Sequence, residues 1–115
     1  MTAPRRIVLL TPDLFFETRI RTAAAHLGVD ITLATAATFV ADCHDAARAL
    51  VDLHAPGAID AIRAAKADPA TGHLRITGFY SHVDATTRDA ALAAHVDEAM
   101  PRSVFTQRLA ALLER

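Results

Sequence analysis

Ala49-Leu50-Val51-Asp52-Leu53-His54-Ala55-Pro56 is the stretch on which the reading of this chain turns. Three apolar residues run into a carboxylate, and a proline follows four residues after it. A short, wholly apolar run is what a strand buried on both faces looks like. Asp52 then stands where the strand stops, and Pro56-Gly57 opens a loop. Ile7-Val8-Leu9-Leu10 has the same all-apolar character. Two such runs predict two central strands of a sheet covered on both sides.

Between and beyond these strands the spacing changes to helical. After Ile7–Leu10, Thr11-Pro12-Asp13 reads as a helix start, with Thr11 as N-cap, Pro12 at the first helical position and Asp13 in the first turn. Phe16, Ile20, Ala23, Ala24 and Leu27 recur at helical spacing, and Gly28 is the stop signal. Ile31–Ala34 is a second strand, and 36–44 a short helix carrying Phe39 and Val40. After Pro56-Gly57, Ile59, Ile62 and Ala65 mark a helix that ends before Asp68-Pro69. Leu74–Tyr80 is a fourth strand, 84–94 an alanine-rich helix, and Glu98–Met100 a fifth strand stopped by Pro101. Ser103 caps a last helix with Phe105, Leu109, Leu112 and Leu113 on one face. Five β-α repeats predict a single α/β domain over 1–115, doubly wound, with a five-stranded parallel sheet in order 2-1-3-4-5.

Composition bounds the function. The chain of 115 residues carries 12 Lys and Arg against 13 Asp and Glu, for a net charge of −1. That balance speaks against nucleic acid and against an anionic membrane surface as partners. The single cysteine, Cys43, suits a reducing cytoplasm, and the N-terminal apolar run is too short for a signal peptide or a membrane span. Cys43-His44 lacks the partner spacing of a zinc site.

In a parallel sheet the working residues follow the carboxyl ends of the strands. Those positions hold Thr11, Pro12 and Asp13; Asp52 and His54; Ser81, His82 and Asp84; Arg102 and Ser103. The set resembles the receiver domain of bacterial response regulators, the CheY-like fold, over nearly the whole chain. Asp52 with Pro56 matches that family's phosphoacceptor and loop proline. Ser81 matches its hydroxyl residue, and Asp97 the aspartate before the fifth strand. Arg102 falls where the family has lysine and Ser103 where it has proline.

The resemblance implies two-component signalling with a histidine kinase or an output protein as partner, but the sequence departs from the pattern where the chemistry is done. Receivers hold Mg²⁺ with an acidic pair after the first strand, and here Thr11 and Pro12 stand in its place. The aromatic switch of the fifth strand is replaced by Ala99. Arg102 keeps the cation but is not equivalent to lysine. What the resemblance implies is therefore a degenerate receiver, not an enzyme, with no cofactor and no metal. In it Asp52 is an ion-pair partner of Arg102, and Ser81 and Arg102 are the equivalents of phosphate contacts. The alternative is a true phosphoacceptor, phosphorylated on Asp52 with Mg²⁺. Asp13, His54 and His82 complete the rim, and Asp52, His54 and His82 together form a set of metal-ligating types. Asp52-x-His54-x-x-Gly57 also matches the local signature of cobalamin-binding domains, but no Ser-x-Leu or Gly-Gly element follows it. The small-sided helix with Ala85, Ala90, Ala91, Ala93 and Ala94 suggests docking of a partner, or of a second copy as a homodimer, through 85–100.

Overall fold

A computed structural model describes residues 5–81 and 85–114. The elements alternate as the sequence predicts. They are β1 (Arg5–Leu10), α1 (Leu14–His26), β2 (Val29–Leu33), α2 (Phe39–Asp42), β3 (Arg48–Asp52), α3 (Ala58–Ala67), β4 (Ile76–Tyr80), α4 (Ala85–Ala93), β5 (Glu98–Pro101), α5 (Arg102–Gln107) and α6 (Leu109–Glu114). All four strand pairings are parallel, and the order is β2-β1-β3-β4-β5.

The apolar runs are explained by the two cores they separate. Ile7, Leu9, Leu50 and Phe79 point to one face, where Phe16 and Ile20 of α1, Phe105 of α5 and Leu112 and Leu113 of α6 cover them. Val8, Leu10, Ala49, Val51 and Ile76 point to the other, under Phe39, Ala58, Ile62, Ala91 and Ala94. Residues 7–9 and 49–51 are wholly buried, so neither strand can alternate with polar residues. Gly78 in β4 fits closely under Leu53. A Cβ built there lies 2.6 Å from Leu53 Cδ2, so the residue after Asp52 lies across β4 only because position 78 has no side chain.

Three sequence expectations are corrected. The first helix starts at Leu14, with Asp13 and not Thr11 as N-cap, and Pro12 lies outside it. The Thr11 side chain is drawn inward to Asp52 and is unavailable as a cap. β4 begins at Ile76, because Leu74 is held by a turn hydrogen bond from its N–H to the Thr71 carbonyl. The last helix begins at Arg102, so Ser103 lies inside its first turn, and Pro101 precedes it without a side-chain cap. That helix is interrupted at Arg108, yet bonds from Arg108 N–H to the Val104 carbonyl and from Leu112 N–H to the Arg108 carbonyl span the break.

Candidate functional site

The carboxyl ends of β1, β3 and β5 bring three charged side chains together. Asp52, the last residue of β3, is 3% exposed. Its Oδ1 accepts the backbone N–H of His54 at 3.0 Å. Its Oδ2 accepts the Thr11 hydroxyl at 3.1 Å and Arg102 Nη2 at 3.3 Å. Arg102 reaches this point because it opens α5 directly after β5.

Asp13 shares the same guanidinium. Its Oδ2 accepts Arg102 Nη1 at 3.0 Å, while its Oδ1 accepts Phe16 N–H at 3.1 Å as the N-cap of α1. Those bonds hold the Asp13 carboxyl below its ordinary value, the Phe16 amide contributing most and Arg102 next, against a smaller upward push from burial. Thr11 ties the two acids on the protein side, since its hydroxyl oxygen also accepts Asp13 N–H at 3.2 Å. Phe16 seats the guanidinium from below, its ring centroid 4.5 Å from Arg102 Cζ, with Phe79 at 5.7 Å. Those rings pack on Phe105, with Phe79 and Phe105 centroids 4.4 Å apart, so the seat is part of the core.

The structure therefore brings together Asp13, Asp52 and Arg102 of the sequence candidates. His54 is turned elsewhere. Its Nε2 accepts the backbone N–H of Ser81 at 3.1 Å and so links the β3 and β4 loops. His82 and Asp84 lie outside the described residues. Among the described residues no three His, Cys, Asp or Glu side chains converge as a metal site. Sequence reasoning missed the second ion pair of Arg102 and the hydroxyl bridge of Thr11. A signal existed for the first: Asp13 is the first ionisable residue after β1, next to β3 in the predicted order.

Solved structures with this arrangement of elements share little sequence with the chain. A response regulator from Chloroflexus aurantiacus superposes with a TM-score of 0.80 at 14% identity, over 98% of this chain and 100% of that one. The receiver domain of a Pseudomonas aeruginosa sensor histidine kinase, which holds magnesium in its active-site cleft, gives 0.78 at 18%, over 98% and 100%. The phosphorylated cyanobacterial phytochrome response regulator gives 0.78 at 15%, over 97% and 90%. This is the CheY-like receiver fold. No protein-family model matches the chain, and no curated protein matches it in sequence.

Within a receiver fold, the rim geometry bears on the Mg²⁺ that the phosphoacceptor alternative requires. The carboxylates present, Asp13 and Asp52, each have Oδ2 bonded to Arg102, and Thr11 and Pro12 supply no others. Mg²⁺ takes near-octahedral oxygen ligation built on one or two carboxylates. The residues do not fit that ion while the guanidinium bridges both acids.

Proposed function

We propose that the chain is a degenerate receiver: a cytoplasmic, non-enzymatic protein-interaction module of two-component signalling that works without phosphorylation and without a cofactor. The observation that carries this reading is the engagement of both Asp52 oxygens inside the protein. Attack on phosphorus needs an accessible carboxylate oxygen and a metal to neutralise the incoming charge. Both Asp52 oxygens are instead bonded within the protein, and 3% of the residue is exposed. The moving part of a receiver has no counterpart either, because Ala99 is a half-buried residue packed against the core.

The test is incubation with acetyl phosphate and Mg²⁺ followed by intact-protein mass measurement. The expected outcome is no phosphoryl adduct. A stoichiometric adduct that disappears in Asp52→Asn would overturn the reading and make Asp52 a phosphoacceptor with Ser81 and Arg102 as phosphate contacts.

The partner is a protein, either a histidine kinase or output protein or a second copy of the chain. No helix among the described residues is long and apolar enough to cross a membrane. The surface assigned to the partner is 85–100. On α4 and just after it, Ala91 and Ala94 pack into the core, whereas Ala85 and Ala93 are exposed and Leu92 is 49% exposed. Ala93→Glu should weaken association, measured by sedimentation, and leave the circular dichroism unchanged.

A further inference from the structure

We infer that Arg102 is the resident cation of this site: its guanidinium does the charge-neutralising work of a divalent ion, and its removal uncovers a divalent-cation site made by Asp13 and Asp52. The inference rests on the reading of Asp52 as a counter-ion, and goes further by assigning Asp13 to the same cation and making the domain indifferent to divalent metal.

The argument starts from the shape of the guanidinium. Its two Nη groups form a fork that can serve one carboxylate in a bidentate pair. Here the fork is split, Nη1 to Asp13 Oδ2 at 3.0 Å and Nη2 to Asp52 Oδ2 at 3.3 Å. One cation is thus shared by two acids from different strand ends, which is how a metal ion is shared by its carboxylate ligands. The carboxylates are also held independently of it. Asp13 is fixed by Phe16 N–H, Asp52 by His54 N–H, and Thr11 bonds to both residues. Two acids so positioned stay close when the guanidinium is taken away.

The seat argues the same way. Arg102 lies over Phe16 and near Phe79, and both rings belong to the buried core. The cation is built into the packing of the α1–α5 face and is not a loose surface charge. A divalent ion offered to the wild type must displace a tethered cation from both acids. In an Arg102 variant it meets Asp13 Oδ2 freed of its partner, Asp52 Oδ2 left with the Thr11 hydroxyl and a spare lone pair, and water.

The probe is Mn²⁺, read by paramagnetic broadening of amide signals in ¹H–¹⁵N spectra, with melting temperature in Mg²⁺ as a second measurement. In the wild type, millimolar Mn²⁺ should give no saturable broadening at the 11–13 and 52–54 amides, and Mg²⁺ should leave the melting temperature unchanged. In Arg102→Met, broadening should become saturable and confined to those amides, with affinity higher by a factor on the order of ten or more. Mg²⁺ should then raise the melting temperature. Adding Asp13→Asn to Arg102→Met should abolish the gain. Arg102→Lys, which keeps a charge, serves if the Met variant fails to fold, and should gain weaker binding than Met. Saturable binding to the wild type with the variant's affinity would overturn the inference, as would folded Met and Lys variants that gain none. Metal binding to an unphosphorylated wild type would sink this inference and the cofactor-free clause but leave phosphorylation-independence standing, whereas an Asp52 phosphoryl adduct would sink the reading beneath it.

Discussion

The two ends of the sheet both carry half-buried ion pairs, and they are wired differently. At the amino ends of the strands, Lys66 pairs with Asp97 at 2.7 Å and also donates to the Leu74 carbonyl at 2.6 Å. Asp97 in turn accepts Ile76 N–H at 2.7 Å. Arg6 at the same end donates to the carbonyls of Asp42 and His44. These charges are bonded to backbone, so they fix the path of the chain. At the carboxyl ends, the Arg102 guanidinium bonds to two carboxylates and, among the described residues, to no carbonyl. There the acids hold backbone amides, Asp13 that of Phe16 and Asp52 that of His54, while the cation bonds to side chains and can be exchanged without undoing the chain's path. At the first end the cation is a fastening, and at the second it is a replaceable part of the candidate site.

The largest expected effect follows from the fastening. The Lys66 side chain is 10% exposed, and Lys66→Met takes the ion-pair partner from Asp97, which keeps the Ile76 N–H, and a donor from the Leu74 carbonyl. Leaving a fully buried charge without its partner costs roughly 3–5 kcal/mol, but Asp97 reaches solvent and keeps the Ile76 amide, so the expected cost is about 2–3 kcal/mol. Urea denaturation measures it. A cost below that of the matching change at the rim would break the comparison.

The matching change is Arg102→Met. Its side chain is 33% exposed, and Asp52 keeps the His54 amide and the Thr11 hydroxyl. The expected loss is smaller, about 1–2 kcal/mol, because hydrogen bonds still serve the stranded carboxylate. Thr11→Val comes next. It removes one hydrogen bond to Asp52 and one acceptor for Asp13 N–H, and should cost about 1 kcal/mol in the same measurement. If Thr11→Val proves costlier than Arg102→Met, the hydroxyl and not the cation is what holds the acids.

The same division governs what the sequence could reveal. The sheet order and the central strands were legible because burial on both faces forces uninterrupted apolar runs at Ile7–Leu10 and Ala49–Val51. Asp52 and Arg102 were legible through resemblance to receivers, and lie at 3.3 Å. The cap was not. Thr11-Pro12-Asp13 offers two capping side chains, and local preference favours either. The choice is made by a contact across 41 residues, the Thr11 hydroxyl to Asp52, which leaves the cap to Asp13. Asp13 meets Arg102 across 89 residues, a pairing that no local pattern encodes. The Lys66 clamp was equally invisible, since a lysine late in a helix reads as a favourable end charge until its tertiary partner is known.

The smallest effect at neutral pH, and the one that separates charge from geometry at the rim, is expected of Asp13→Asn. Asparagine caps a helix about as well as aspartate, so the bond from Phe16 N–H survives and only the charge facing Arg102 is lost. The direction of its pH dependence follows from linkage. The folded carboxyl titrates below its ordinary value of 3.8, chiefly through the Phe16 amide and then through Arg102. Folding therefore favours the charged form. The contribution is fully present above that ordinary value and is lost as pH falls through the lower folded one. Wild type and Asp13→Asn should differ slightly at pH 7 and converge in acid, with the variant showing the shallower loss of stability below about pH 4. Glu98 at the other end, also held below its ordinary value of 4.5 against desolvation by Arg75 and Arg108, should add its own acid slope unchanged in both proteins. Urea midpoints at a series of pH values test this directly. Parallel curves offset by a constant would mean that neither the Phe16 amide nor Arg102 favours the charged form of Asp13, leaving Arg102 with a single partner and the rim with no shared cation.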